Sequence, residues 1–229
     1  MFSVKKVIII VIAGLFFSCK KDKQPAVDLG LDYRPLQVGN YVIYQADSIV
    51  YDDFYNPVKI DTFSFQVKEK LVKTFTDASG NSAFQLYRFK KTADTADWIV
   101  SDVWFCYVED EKRFIQDEEN VKYVKLIFPP KENEKWNGNA QNTLPEREYI
   151  YENIHQPETV NNLSFDSVVT VNQTDYQNNL IYEKEYIEKY AKHIGMIYKR
   201  IYDVKKDIAT QEILSGVDYK LKVIAYGKE

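Results

Sequence analysis

The chain has few of the residues from which metal sites and nucleophilic active sites are built. Its 229 residues include two cysteines, two histidines and eight glycines. His155 and His193 do not belong to an HExxH pair, and no cysteine or histidine spacing suggests zinc. A Gly-x-Ser-x-Gly elbow and a glycine-rich phosphate loop are also missing. We therefore expect no catalytic residues, no metal ion and no cofactor.

Positive charge is not in excess either. The chain has 30 basic and 34 acidic residues, and removal of Lys5 and Lys6 with the leader described below leaves 28 basic residues against 34. A domain of net negative charge offers nucleic acid no electrostatic footprint. We expect no nucleic-acid partner.

Long apolar runs are confined to the N-terminus. Lys5 and Lys6 precede an apolar run from Val7 to Phe17, and Ser18 lies directly before Cys19. The run is too short to cross a bilayer, which takes about 20 residues. Its layout is typical of a secretory signal that ends at a cysteine. The sequence therefore predicts that residues 1–18 are removed on export.

The residues before Cys19 make this signal more specific. Leu15 to Cys19 (LFFSC) resembles the lipobox of bacterial lipoproteins, although Phe17 is bulkier than the residue usual at that position. The resemblance implies a diacylglycerol group on the Cys19 thiol, cleavage before Cys19 and acylation of the new amino group. Several acyl chains would hold the protein durably on a membrane. The alternative is an ordinary secretory signal with an incidental cysteine.

Residues 19–30 have the character of a flexible tether. The tract from Lys20 to Asp28 is charged and has no periodicity. It partly resembles the surface-export signals of Bacteroidota lipoproteins, with Asp22 as its one acidic residue near the cysteine. Lys20 after the cysteine favours the outer membrane, by analogy with other Gram-negative lipoproteins. The side that the domain faces stays open, and residues 31–229 are predicted to form a single domain.

Cys106 is left without a cysteine partner once Cys19 carries lipid. It lies in the apolar run from Val103 to Val108. A small buried side chain is therefore expected at this position rather than a reactive thiol or a metal ligand.

Composition and periodicity both favour β structure. Aromatic residues make up 15% of the chain, with 18 tyrosines and 13 phenylalanines. From Phe63 to Leu71 apolar and polar residues alternate with a period of two, which is typical of a strand with one wet face. Similar patterns recur along the chain with short turns between them. The sequence predicts a mainly β fold, an antiparallel meander of roughly ten strands that forms a curved sheet, a half-barrel or a barrel-like domain.

Three segments need separate interpretation. The run from Trp98 to Glu109 is apolar on both faces, which predicts a central strand. Residues 182–194 fit a helical stripe as well as a strand, and we expect a strand because Gly195 and the β-rich run after it indicate a hairpin. Residues 131–148 form the one long irregular stretch.

Short segments spread along the chain carry a family resemblance. LQVGNY at 36–41, KWNGN at 135–139 and YAKHIGMIY at 190–198 resemble outer-membrane or surface lipoproteins of Bacteroidota whose function is uncharacterised. The predicted layout is also similar to the half-barrels of lipoprotein carriers. That second similarity implies a curved sheet over an apolar cavity.

Aromatic residues beside polar loops are the candidate ligand contacts. Tyr51, Phe54 and Tyr55 lie near Asp52 and Asn56, and Trp136 lies among asparagines. Such flat, partly polar surfaces suit glycans and peptides. The alternative is structural, with Trp136 plugging one end of the sheet and the tyrosine cluster at the top of a hairpin.

Three tripeptides resemble the O-glycosylation acceptor of Bacteroidota. They would place glycans on Ser48, Thr95 and Ser167.

Three functions remain open. The leading hypothesis is a membrane-anchored, non-catalytic envelope lipoprotein that binds a protein, a glycan or an envelope component. The alternative is a carrier of acyl chains or other apolar ligands in a half-barrel cavity. A hydrolase that uses a pair of carboxylates is the third possibility.

Overall fold

A computed structural model describes residues 27–77, 80, 82–174 and 178–229. The described residues form one short 3-10 helix, Leu31–Tyr33, and a single twelve-stranded sheet. The strands are β1 (Asn40–Asp52), β2 (Lys59–Thr76), β3 (Ser82–Lys91), β4 (Ile99–Glu109), β5 (Arg113–Glu118), β6 (Val121–Ile127), β7 (Lys135–Asn137), β8 (Glu148–Val160), β9 (Leu163–Asn172), β10 (Tyr182–Ala191), β11 (Gly195–Lys206) and β12 (Ile213–Lys228). Within these residues, no helix has the length and apolar character needed to span a membrane.

Every strand pairs antiparallel with its neighbours, in the order β6-β5-β4-β3-β2-β1-β12-β11-β10-β9-β8-β7. The first and last strands lie side by side at the middle of the sheet, where Asn40 pairs with Lys228 and Tyr51 with Gly216. The mainly β, barrel-like meander is therefore confirmed, with twelve strands rather than roughly ten. The sequence pattern missed β7, because three residues are too few to display a period of two.

Two of the uncertain segments are settled by the sheet. Residues 182–191 form β10, which confirms the strand, and Lys192 to Ile194 form its turn into β11. The prediction for Trp98 to Glu109 is correct in one respect and wrong in another. β4 has a neighbour on each side, but Ile99 is 70% exposed and Val103 is 52% exposed. Further along the same face Tyr107 is 2% exposed and Phe105 packs against its buried cluster, so this face is exposed at the start of β4 and buried at its end.

The two edge strands of the sheet meet and close it into a barrel-like body. The backbone N–H of Val124 in β6 donates to the carbonyl oxygen of Gly138 just beyond β7, at 2.9 Å. The Tyr151 hydroxyl donates to the carbonyl oxygen of Ile127 at 2.7 Å and accepts a hydrogen bond from the Ile127 N–H at 3.0 Å. These bonds satisfy polar backbone groups that an open sheet edge would leave unpaired.

The segment before β1 enters the body instead of lying on its surface. Tyr33 is fully buried, and its hydroxyl contacts His155 Nδ1 at 2.6 Å and Ser167 Oγ at 2.7 Å. Contacts already begin at Asp28, whose carboxylate pairs with Lys192 at 2.6 Å. The chain from Asp28 onward is therefore held by specific contacts, whereas residues 1–26, including Cys19, lie outside the described residues.

Alternate residues of the strands supply the core. In β1 the inward residues Val42, Tyr44 and Ala46 are buried, and Tyr44 donates a hydrogen bond of 2.9 Å to the carbonyl oxygen of Met196. Cys106 is fully buried in the same core, as its apolar neighbours predict. Burial raises the pKa of its thiol to about 11, which makes it unreactive at neutral pH.

Candidate functional site

The predicted aromatic contacts at the β1–β2 hairpin lie together at its tip. Phe54 is 88% exposed and Tyr55 49% exposed, and their rings meet edge to face with centroids 5.5 Å apart. Lys59 Nζ lies 5.6 Å from the centroid of the Tyr55 ring. Tyr51, at the end of β1, is only partly exposed. Two of the three residues therefore form an exposed aromatic pair with a cation beside it.

Trp136 does not belong with that pair. It lies in β7, which is separated from β1 by five strands in either direction around the body. Its ring packs against Tyr151 with centroids 4.7 Å apart, and its indole Nε1 donates to the carbonyl oxygen of Val124 at 2.8 Å. One face and the N–H of the indole thus join the two edges of the sheet, and a role of Trp136 as a ligand contact stays a prediction.

The three glycosylation candidates differ in accessibility. Thr95 lies exposed in the turn between β3 and β4. Ser48 lies within β1, and the hydroxyl of Ser167 in β9 is bonded to Tyr33. Thr95 is the candidate whose surroundings leave room for a glycan.

A cavity of about 270 Å³ with several charged side chains in its wall lies within the barrel-like body. Strands β2 to β5 and β10 to β12 contribute to its wall, together with Arg34 from the segment before β1. Its apolar residues are Trp104, Met196, Ile201, Tyr219 and Leu221, and its polar residues are Arg34, Glu69, Arg88, Gln116, Glu118, Glu188, Tyr190 and Lys199. Small barrels usually fill this position with apolar side chains, so a charged cavity is the main candidate site of this chain.

Glu188 is the centre of the charged lining. Its side chain is almost completely buried, and its Oε1 lies 3.0 Å from Lys125 Nζ and 3.1 Å from Lys199 Nζ. Its Oε2 accepts a hydrogen bond of 2.6 Å from the Tyr190 hydroxyl. Burial alone would raise the pKa of Glu188, but the two ammonium groups and the phenol hold it well below its usual range. Glu188 is therefore an ionised carboxylate.

Lys125 links this carboxylate to a second one. Its Nζ also lies 3.0 Å from Glu118 Oε1, so one buried ammonium group bridges two acidic side chains. Burial opposes the charge of Lys125, yet Glu118 and Glu188 together raise its pKa well above its ordinary value. The network is fully charged at neutral pH.

Arg34 has no comparable partner. It is 6% exposed, and its guanidinium carbon lies 5.2 Å from the centroid of the Phe114 ring. Its Nε has no hydrogen-bond partner among the described residues. Within the described part of the chain, no carboxylate forms an ion pair with it. Burial works against its charge, but nearby groups that include Glu69 hold its pKa above the ordinary value. A charged guanidinium therefore faces the cavity without an acceptor for its Nε.

Arg88 supplies a second cation to the same cavity. Its Nη1 donates to Asp102 at 3.2 Å, and the indole ring of Trp104 lies 4.2 Å from its guanidinium carbon. Its Nε lies 3.2 Å from Glu69 Oε1, in a geometry that does not make a hydrogen bond. Arg88 is thus ion-paired but keeps one donor unused.

This lining does not suit an acyl chain, and its Glu118–Glu188 pair does not suit acid–base catalysis. A hydrocarbon chain placed against Arg34 and Glu188 would deprive charged groups of polar contacts, which is unfavourable. A glycosidase needs one carboxylic acid that keeps its proton near neutral pH. Glu118 and Glu188 converge on Lys125, but their pKa values are lowered, so both are ionised. Within the described residues, no group of three or more His, Cys, Asp or Glu side chains is placed to hold a metal ion.

The sequence analysis offered an apolar cavity as an alternative and did not predict this charged lining. One signal was present, because Glu188 shares the inward face of β10 with Tyr190, two residues further on. A charged residue at an inward position of a strand indicates a buried partner. The partner, Lys125, is 63 residues away in β6, and its position depends on the closure of the sheet.

No family model matches the chain. No curated protein matches it either. Among solved structures, a candidate exported protein with a YmcC-like fold from Bacteroides fragilis NCTC 9343 is similar at 11% identity with a TM-score of 0.44, and 85% of this chain and 98% of that chain are covered. A candidate lipoprotein from Parabacteroides distasonis ATCC 8503 is similar at 11% identity with a TM-score of 0.41, with the same coverage of both chains.

Proposed function

We propose that this chain is a non-catalytic envelope lipoprotein, anchored through Cys19, whose barrel-like domain binds a small polar ligand in its internal cavity. The observation that carries the proposal is the cavity itself, because space of about 270 Å³ is kept open among buried charges. Close packing with apolar side chains would be more favourable for stability alone.

A cavity-filling substitution tests the binding function. Ile201 lines the cavity, and Ile201→Trp would place an indole in it. Val103→Trp is the matched control, because Val103 is 52% exposed on the opposite face of β4 from Trp104. A panel of sugars, amino acids and organic acids would be screened by thermal shift. We expect at least one compound to raise the melting temperature of the wild type and of Val103→Trp, but not of Ile201→Trp. Equal shifts in all three proteins would contradict a site in the cavity.

The anchor has its own test. Radiolabelled palmitate should be incorporated into the wild-type protein and not into Cys19→Ala. Labelling that survives Cys19→Ala would contradict the anchor. Protease treatment of intact cells then shows which side of the outer membrane the domain faces.

The exposed pair Phe54 and Tyr55 supports a second candidate, docking of a glycan or a protein at the hairpin tip. Exposed aromatic rings of this kind are enriched at binding surfaces. Affinity capture from the native envelope with the wild type and with Phe54→Ala would test it, and partners recovered equally with both proteins would contradict it.

A further inference from the structure

A buried cation without an ion-pair partner lowers the stability of the folded chain. Its position therefore indicates where a ligand could bind. In the described part of the chain, Arg88, Lys125 and Lys199 each form an ion pair with a glutamate of the lining, whereas Arg34 forms none. Apolar or aromatic replacement of such a group normally increases stability. A group that is unfavourable for folding and that faces open space is typical of a binding site.

The unused donors of the cavity both belong to guanidinium groups. Among the residues that the structure describes, the Nε atoms of Arg34 and Arg88 have no hydrogen-bond partner, and both residues line the same space. A guanidinium group presents its N–H donors in a planar fork that matches the two oxygens of a carboxylate. The missing acceptor is therefore an anion, and a carboxylate fits the fork best.

The other polar residues of the lining include hydrogen-bond acceptors, which need donors on the ligand. Glu69, Glu118 and Glu188 are acceptors, which pair with hydroxyl donors of a ligand. Trp104 and Tyr219 supply aromatic surface for the C–H groups of a hydroxylated carbon skeleton. The volume of about 270 Å³ is many times the roughly 10–15 Å³ that one water needs. A ligand the size of one sugar ring fits this space.

We infer that the cavity binds a small hydroxylated carboxylic acid in its ionised form, with Arg34 binding the carboxylate and the glutamates accepting from the hydroxyl groups. The inference rests on the proposed binding function and specifies the chemistry of the ligand. It assigns Arg34 the role of the main specificity determinant. Binding would neutralise the buried guanidinium and satisfy its Nε.

The test separates the two halves of this chemistry. Calorimetric titrations of the full chain would use D-glucuronate, which carries both a carboxylate and hydroxyl groups, D-glucose, which lacks the carboxylate, and acetate, which lacks the hydroxyl groups. We expect glucuronate to bind most tightly. Arg34→Met should weaken glucuronate binding about 10- to 100-fold, the range for a lost hydrogen bond to a charged group. Arg113→Met is the control, because Arg113 is paired with Glu109 at the surface and does not line the cavity.

The melting temperature gives a second readout. A purely structural role of Arg34 would not produce the pattern of melting temperatures expected here. Without ligand, Arg34→Met should melt at the same temperature as the wild type or higher, because an unpaired buried charge is removed. Glucuronate should raise the melting temperature of the wild type and not that of Arg34→Met. If Arg34→Met fails to fold, Arg34→Lys provides the test, since it keeps the charge but loses the fork and should bind more weakly.

The outcomes distinguish this inference from the function on which it rests. Equal affinity for glucuronate and glucose, or unchanged affinity in Arg34→Met, would overturn the carboxylate assignment. Loss of that binding in Ile201→Trp would then show that the cavity is still a ligand site. If none of the three probes binds the wild type, the carboxylate assignment is wrong, and the wider compound panel then decides the binding function on its own.

Discussion

The indole Nε1 of Trp136 donates a hydrogen bond of 2.8 Å to the carbonyl oxygen of Val124, and so joins the two edges of the sheet. Val124 lies in β6 at one end of the strand order and Trp136 in β7 at the other. The same pair of segments is joined by the Val124 N–H, which donates to Gly138. The N–H and the carbonyl oxygen of Val124 are thus both hydrogen-bonded to residues at the other edge of the sheet. The KWNGN segment therefore has a structural role in this fold.

Trp136→Phe removes the indole donor and keeps an aromatic ring. The carbonyl oxygen of Val124, which is 1% exposed as a residue, would then lack its partner. We expect the free energy of unfolding in urea to fall by about 1–3 kcal/mol. Trp98→Phe changes a tryptophan that does not join the two edges of the sheet, so it should lower the free energy of unfolding by less. Equal losses for the two variants would contradict the role of the hydrogen bond.

Gly138→Ala tests the close contact between the Gly138 backbone and the Tyr149 ring, where the two edges of the sheet meet. A Cβ at this position would lie 2.4 Å from Cζ of the Tyr149 ring, which is itself packed in the core. Because Tyr149 is 2% exposed, a shift of its ring would disturb the core around it, and we expect a loss of about 1–3 kcal/mol in the same urea titration. Gly80→Ala is a useful comparison, because its Cβ would meet no atom within 4 Å and only its positive φ opposes substitution. A harmless Gly138→Ala would show that the closure is looser than the structure indicates.

The buried network around Glu188 should make stability depend on acid pH. The folded chain holds the pKa of Glu188 below its ordinary value of 4.5. The stabilisation is therefore present above about pH 4.5 and is lost as the pH falls towards the folded pKa. We expect Glu188→Gln to be markedly less stable than the wild type at pH 7, with a difference that narrows in melting curves below pH 4.5.

Glu229→Gln is the matched control for that experiment. Hydrogen bonds from Lys68 and Lys70 lower the pKa of Glu229 to about 2, but its side chain is 47% exposed. Solvent screens exposed pairs, so its substitution should change stability little at any pH. A pH-independent difference between the wild type and Glu188→Gln would contradict the assignment of Glu188 as a buried anion.

Loss of the Lys125 ammonium group alone should destabilise the folded chain more than loss of Lys125 together with the charge of Glu188. Lys125→Met leaves Glu118 without its ammonium partner and Glu188 with Lys199 alone. We expect a loss of about 3–5 kcal/mol in urea titration, the range for a broken buried ion pair. The double variant Lys125→Met/Glu188→Gln should recover part of that loss. Additive losses in the double variant would show that the two residues are not coupled.

Cys106 should be inert in the folded chain. Its thiol is fully buried, and burial raises its pKa to about 11. In a Cys19→Ala background, where Cys106 is the remaining cysteine, we expect iodoacetamide at pH 8 to label the protein only when urea unfolds it. Rapid labelling of the native protein would mean that the core opens at this position.

Local pattern was enough to predict most of the fold. The alternation in β1, with Val42, Tyr44 and Ala46 on one face, predicts a strand whatever its neighbours are. The interpretation of 182–194 as a strand was also correct, because Gly195 provides the turn with a φ of 102°. At Trp98 to Glu109 the pattern predicted the central strand but not which part of its second face is covered, since Val103 is exposed and Tyr107 is buried. Whether the second apolar face of a strand is buried depends on which other parts of the chain pack against it. The periodicity of the strand does not show this.

The sequence by itself determined the β class, the meander and the buried state of Cys106, since each depends on residues close together in the chain. For the same reason it predicts the signal and the lipid anchor at Cys19. Only the tertiary structure decided that Trp136 closes the sheet, that Phe54 and Tyr55 stand exposed at a tip, and that Arg34 faces a cavity with Glu188 and Lys125. Arg34 and Glu188 are 154 residues apart in the chain. Their proximity follows from strand register and from the meeting of β6 with β7, and the burial that gives these charges their significance exists only once the sheet has closed.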